Sequence, residues 1–332
     1  MTAVGPATRV HWVDALFARL VLSREPRYFE DGWGPSALLD ELTRPPPGAA
    51  PPSLGDVALG LPAREGRLCV QEGQCTSPAI GPELPQACWT MRFQILLPSG
   101  AGPRPPMCVL LAGSGDQAYS LRRPLGAALA RHGVGTLLPE QPYCGRRRPP
   151  AQRGAAVRTV ADLLLMLRAA SLEAIALSRW LLARGHDKVC LSGYSLGGSL
   201  AAHAAAQSAL PLAVVPVAAA HALDAVFREG VLQEMADWEA LGSGGGPREA
   251  RRRLLEVLGA ASITALPPLA DPRRAILLHA AEDGFVPPSS TLRLAEHWRG
   301  AELRPLRGGH VSAFFTGRRA TARAILDALA RL

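Results

Sequence analysis

Lysine is nearly missing from this sequence. Lys188 is the only one, and the other basic residues are all arginine. An excess of arginine, alanine, glycine and proline fits genome base composition, so the formal charge of +8 does not by itself point to nucleic acid. No stripe of basic residues interleaved with aromatics is present, and nucleic acid is not expected as a partner. A basic face meeting anionic lipid stays open. Zinc-ligand spacing and C-x-x-C pairs are both missing, so no metal site is expected. The six cysteines form no disulfide framework. Cys108 and Cys190 fall in apolar runs and read as small core residues. Cys69, Cys75 and Cys88 lie in an irregular region and read as free thiols rather than a pair, which suits a reducing compartment. No apolar run is long enough to span a bilayer. The apolar stretch after Arg9 is broken by Asp14 and Arg19, and no small-residue cleavage site follows, so a secretory signal is not expected.

What is present is a globular composition. The chain has 332 residues, 48% hydrophobic and 19% charged, enough for one large α/β domain or two small ones. Residues 10–22 read as an amphipathic helix, packed on the domain in preference to a membrane-surface or targeting segment. Asp31-Gly32-Trp33-Gly34-Pro35 reads as a turn with an aromatic anchor. Residues 43–53 are Pro-rich and read as an exposed connection, and the stretch from there to residue 88 leaves room for one or two strands. Residues 1–60 are thus an N-terminal helix and connection, and 61–332 the main domain. Strands are expected at Trp89–Leu97, Met107–Ala112, Val134–Leu138, Val189–Leu191, Leu212–Val217, Ala275–His279 and Glu302–Leu306. Helices are expected at 121–132, 157–184, after Ser195, at 289–298 and at 317–331. This alternation predicts a largely parallel sheet covered on both faces. Residues 219–270 break the rhythm with two helical patterns and read as a small helical cap.

The chemistry centres on Gly193-Tyr194-Ser195-Leu196-Gly197, between a short apolar strand and an alanine-rich helix. A G-x-S-x-G turn in that context strains the serine backbone and projects its hydroxyl from the sheet. A serine needs a base, and the base an orienting acid. Both follow in the chain order Ser, acid, His of an α/β-hydrolase. Asp283 lies just past a strand in Glu282-Asp283-Gly284-Phe285-Val286-Pro287, and is preferred over Glu282 because acid-x-x-Val-Pro is the usual surrounding of such an acid. His310 follows the next strand, in Arg307-Gly308-Gly309-His310. Parallel strands bring these loops to one sheet edge. The backbone N–H groups of Leu196 and Ser114 are the candidate oxyanion donors. Gly113, Asp116, Tyr119 and Tyr194 are candidate substrate contacts, with helix capping as the competing reading of Asp116. Arg122 and Arg123 read as a solvated helix face with an anionic headgroup as the alternative, and Arg146-Arg147-Arg148 as a basic loop. His186, His203 and His221 read as structural or exposed. The reaction so read is acyl transfer to water and needs no cofactor.

These residues carry a resemblance. The sequence resembles the abhydrolase domain-containing protein 18 family of α/β-hydrolases. The matching pieces are Gly32-Trp33-Gly34, Arg92-Phe93-Gln94-Ile95, Leu111-Ala112-Gly113-Ser114-Gly115-Asp116 and Leu138-Pro139-Glu140-Gln141-Pro142-Tyr143-Cys144-Gly145-Arg146. They continue with Ser195-Leu196-Gly197-Gly198, Glu282 to Pro287 and Gly308-Gly309-His310-Val311-Ser312-Ala313, in one order over nearly the whole chain. The resemblance implies a serine hydrolase on lipid acyl esters. It also implies a mitochondrial alternative to a cytoplasmic location, since animal members are linked to mitochondria and to cardiolipin deacylation. Those members carry a long insert before the acid-bearing strand, where this chain has only residues 219–270. The expected substrate is therefore a lipid or phospholipid acyl ester, with peripheral membrane contact. Two alternatives stand beside it, a soluble carboxylesterase or thioesterase on a small substrate and a non-catalytic binding protein of the same fold.

Overall fold

The computed structural model describes residues 10–44 and 52–332. Most of the Pro-rich connection, residues 45–51, lies outside the described residues. Ten strands make one sheet: β1 (Ala58–Leu59), β2 (Ala63–Glu65), β3 (Leu68–Thr76), β4 (Thr90–Pro98), β5 (Met107–Leu111), β6 (Gly135–Pro139), β7 (Val189–Tyr194), β8 (Leu212–Val217), β9 (Ile276–Ala280) and β10 (Glu302–Leu306). The helices are α1 (Trp12–Leu20), α2 (Ser36–Leu42), α3 (Arg123–Ala130), α4 (Val160–Ala183), α5 (Leu196–Ala206), α6 (Leu223–Arg228), α7 (Trp238–Leu241), α8 (Gly246–Ala260), α9 (Pro288–His297), α10 (His310–Thr316) and α11 (Arg318–Leu329).

The sheet order is β1-β3-β4-β6-β5-β7-β8-β9-β10, with β2 also paired to β3. From β6 to β10 all neighbours are parallel, while β1 to β4 pair antiparallel and β4 joins β6 antiparallel. The central strands β5, β6 and β8 are buried at every residue. Continuous apolar runs become strands here because both faces are covered. One face packs on α4, α5 and α9 through residues such as Ala174, Leu177, Ala201 and Trp298. The other packs on α3 and α11 through Leu129, Ile325 and Ala328.

This topology positions the site. From β5 the chain moves to β6 on one side and then to β7 on the other, so the loops after β5 and β7 diverge. In a parallel sheet that divergence opens a crevice at the carboxyl ends of the strands. The register aligns Leu111 with Gly193, Tyr194 with Val217 and Ala280 with Leu306, so the loops after β5, β7, β9 and β10 share one edge.

Several expectations need correction. The stretch before residue 88 holds three strands, and Cys69 and Cys75 lie on β3 rather than in irregular chain. Their pairing partners Leu97 and Met91 on β4 explain it, because cross-strand burial outweighs weak local signal. The last expected helix is preceded by a separate one, α10, which begins at His310 itself. All six cysteines are free. The Trp33 anchor forms as expected: its Nε1–H donates to Leu241 O at 2.9 Å, between Gly32 and Gly34 at positive φ. No helix of the described residues is long and apolar enough to cross a membrane.

Candidate active site

Ser195 stands at the tip of the turn between β7 and α5 with φ 56° and ψ −122°, a conformation costly for a residue with a side chain. The surroundings hold it there. Its N–H donates to Val217 O at 2.8 Å. A Cβ on Gly193 would come 2.4 Å from the carbonyl carbon of Gly197, and one on Gly197 would come 2.4 Å from Leu111 O. Only glycine lets strand and helix cross that closely.

Asp283, past β9, is 5% exposed. Its Oδ1 accepts the N–H groups of Phe285 at 2.9 Å and Val286 at 2.8 Å. Its Oδ2 lies 2.8 Å from His310 Nδ1. Glu282 points outward instead, its side chain 46% exposed and 4.0 Å from His11. The His310 ring is fixed on both sides. Phe285 stacks on it at 4.8 Å and 21°, and Tyr194 meets it edge-on at 5.1 Å. Ser195 and His310 line one cavity. Among the described residues no hydrogen bond joins the Ser195 hydroxyl to the imidazole, a link that in substrate-free hydrolases is often long.

The cavity has a volume of about 730 Å³. Gly113, Ser114, Asp116, Tyr194 and Leu196 line it with Ser195 and His310. Three candidate substrate contacts change character. Tyr194 donates its hydroxyl to His310 O at 2.6 Å, so its polar tip supports the histidine loop. Burial, with the nearby Asp283 and Asp14 carboxylates, raises its phenol. The Asp116 carboxylate is taken by Arg122 Nε at 2.6 Å and by the Ala118 N–H at 3.3 Å. Tyr119 is not among the cavity-lining residues. It packs against the sheet core, with the Arg122 guanidinium 5.9 Å from its ring. Tyr28 was not singled out from the sequence, yet it lines the cavity. Burial pushes its phenol up to about 12, and a side-chain interaction with Ser114 works the other way. Its isolated setting, Arg27-Tyr28-Phe29 with no periodic pattern, carried no signal.

Two walls of the cavity come from distant parts of the chain. Leu223, Val226, Phe227, Leu232 and Met235 come from the start of the expected cap, while no residue of α7 or α8 reaches it. Phe17, Val21 and Leu22 come from the N-terminal segment. A bridge between Tyr28 and Ala236 ties the two together.

The arginine readings also change. Arg122 is 7% exposed, and its Nη1 donates to Leu110 O and Pro139 O at 2.6 and 2.9 Å. Arg147 is fully buried and paired with Glu173 at 2.5 Å. Arg146 and Arg148 alone keep the basic loop exposed. The other histidines have structural partners: His186 Nδ1 meets Pro105 O, His221 Nδ1 meets Ser290, and His203 meets Ser171. Among the described residues no group of three or more His, Cys, Asp or Glu could hold a metal ion.

Comparison with solved structures returns the same architecture. Acetyl xylan esterase 1 from Thermoanaerobacterium sp. JW/SL YS485 is similar with a TM-score of 0.57 at 14% identity, over 90% of this chain and 96% of that one. The acetyl xylan esterase from Paenibacillus sp. R4 gives 0.53 at 17% identity, over 95% and 96%. Est1E from Butyrivibrio proteoclasticus gives 0.51 at 16%, over 73% and 95%. At such identities the likeness establishes the α/β-hydrolase fold. The sequence matches the family model "Alpha/beta hydrolase domain containing 18" over residues 26–245 and 243–331. That match takes in both the cap and the edge where the loops meet, and the chain belongs to this family of α/β-hydrolases.

Proposed function

We propose that the chain is a serine hydrolase that cleaves an acyl ester through an acyl-enzyme. The observation that carries this is the buried Asp283–His310 hydrogen bond of 2.8 Å in the cavity that also holds the strained Ser195. In the mechanism, His310 Nε2 takes the Ser195 Oγ proton as Oγ bonds to the ester carbonyl carbon. The N–H groups of Leu196 and Ser114 stabilise the tetrahedral oxyanion. Collapse breaks the carbon–oxygen bond to the alcohol, which leaves with the proton from His310. A water then repeats the sequence and frees the acid. Asp283 holds the imidazole tautomer that leaves Nε2 able to accept.

A lipid acyl ester suits the cavity better than a small polar one. Its walls are mostly apolar and include the exposed Leu121 and Phe315, 48% and 61% accessible. Apolar side chains continue outside it on α1, where Trp12, Leu16 and Leu20, spaced by four, are 70%, 46% and 49% exposed. An exposed apolar stripe beside an apolar cavity is the pattern of a helix lying in a lipid interface. Exposed Arg148 and Arg318 bring positive charge to the cavity lining, suited to an anionic headgroup.

Fluorophosphonate labelling tests the reading. Native protein labels, and Ser195→Ala and His310→Ala do not. A folded native protein that stays unlabelled would overturn it in favour of a binding role. Hydrolysis of long-chain phospholipid in anionic vesicles in preference to a short-chain soluble ester tests the lipid part.

A further inference from the structure

We propose that Asp14, on the N-terminal helix, is a positioning residue that clamps the acid-bearing loop to the histidine-bearing loop. The proposal rests on the serine-hydrolase reading of the site. Asp14 is fully buried, on the inner side of a helix whose outer side carries the exposed Trp12, Leu16 and Leu20. Its Oδ2 accepts the Gly284 N–H at 2.9 Å and the His310 N–H at 2.7 Å. Its Oδ1 accepts the Val311 N–H at 2.9 Å. One oxygen therefore bridges the residue after Asp283 and the backbone of His310 itself. The carboxylate spends its acceptors on main chain, and side-chain links between the two loops are left to Asp283 and His310.

The loops are shaped to receive it. A Cβ on Gly309 would stand 2.4 Å from His11 Cβ and 2.5 Å from Asp14 Oδ2. A Cβ on Gly284 would stand 2.6 Å from Val10 Cγ1. The helix is further tied by its own N-terminal flank, where the His11 N–H donates to Glu282 O at 3.0 Å. Strand register ends at Ala280 and Leu306, and past it the two loops keep two long main-chain bonds, Ala281 N–H to Leu306 O at 3.4 Å and Glu282 N–H to Gly308 O at 3.3 Å. The clamp carries the link further along both loops, past the last of these bonds, and fixes the spacing of the main chains at Gly284 and His310. Misplacing a reacting group by about 1 Å costs on the order of 100-fold in rate. A buried carboxylate holding three N–H groups is also charge-assisted, and so stiffer than a neutral side chain in its place.

The variant that tests this is Asp14→Asn, nearly the same shape but with an amide group facing one of the three donors. Native protein and variant are compared by ester hydrolysis, by fluorophosphonate labelling rate and by the melting curve, with Leu181→Ala as a destabilised control. Leu181 is buried near the end of α4, which leads into the start of β7 and so lies at the sheet edge opposite the site. The expected result is a fall of roughly 10- to 100-fold in kcat and labelling rate with KM little changed. Leu181→Ala, measured below its own melting transition, keeps the native labelling rate. A folded Asp14→Asn with kcat within twofold of the native value overturns the proposal, as does a loss that merely tracks the unfolded fraction. Should the variant not fold, native-state amide exchange decides. Slow exchange at Gly284, His310 and Val311, matching the core strands, supports the clamp, and fast exchange overturns it. If the native protein fails to label, the hydrolase reading falls by itself. The clamp is then still read from amide exchange and from the downfield Nδ1–H proton signal of His310, lost in Asp14→Asn.

Discussion

Asp283 divides its two oxygens between two jobs. Oδ1 is held by the N–H groups of Phe285 and Val286, which leaves Oδ2 to face His310. Asparagine at this position would keep its carbonyl on the two N–H groups and turn its amide toward the imidazole. That favours the wrong tautomer, so Asp283→Asn is expected to lower kcat about 10³- to 10⁴-fold at nearly unchanged stability. Glu282→Gln, exposed and outside the contact, should stay within twofold. Steady-state hydrolysis of a chromogenic ester measures both, and equal losses would remove Asp283 from the role. That Ser195, Asp283 and His310 would each follow a strand at one sheet edge was legible in the sequence, because it follows from strand–loop alternation alone. Asp14 and Tyr28 were not. Asp14 stood out only as a charge interrupting an apolar stretch, and its partners lie 270 to 297 residues away.

At the scale of elements, the same limit explains the arginines. A run such as Arg146-Arg147-Arg148 looks like one solvated patch, and nothing local marks its middle member. In the fold the turn at Gly145–Arg147 drives Arg147 inward, where its Nη1 and Nη2 reach both Glu173 oxygens on α4, at 2.7 and 2.5 Å. The same guanidinium donates to Glu140 O and Cys88 O, and Ser77 donates to Glu173 at 2.5 Å. Three loops and a helix thus meet on one buried ion pair. Breaking one side strands the other charge in the core, so Arg147→Met is expected to cost about 3–5 kcal/mol. Adding Glu173→Leu should recover part of that loss, since two apolar side chains replace a costly pair. Guanidinium denaturation measures the three proteins. A single-variant loss below about 1 kcal/mol would contradict the pair's structural weight. The strands β5 to β9 were legible because buried parallel strands are plain apolar runs. The short β1 and β2 were not, being two and three residues long and held by pairing with β3.

For the whole molecule, burial of titratable groups sets a stability maximum near neutral pH. On the acid side, burial lowers the pKa of His203, to about 4, and of His221 and His279. The unfolded chain takes up these protons near pH 6.5, while the folded chain resists. Stability is therefore complete above that pH and falls as pH drops toward 4. On the alkaline side, burial pushes the Cys75 and Cys88 thiols up to about 11 and Cys144 up to about 12. The unfolded thiols lose their protons near pH 9, and the folded ones hold them, so stability falls as pH rises from 9 toward 12. Each such thiol contributes a slope of up to roughly 1.4 kcal/mol per pH unit in that window. Guanidinium midpoints at pH 4.5, 7.5 and 10.5 should trace a dome with its top at the middle value. Cys144→Ala should flatten the alkaline limb, because alanine has no proton to lose. A midpoint at pH 10.5 equal to that at 7.5 would mean that the three thiols titrate alike in folded and unfolded chains, and that the core around β3, β4 and the Cys144 turn admits water.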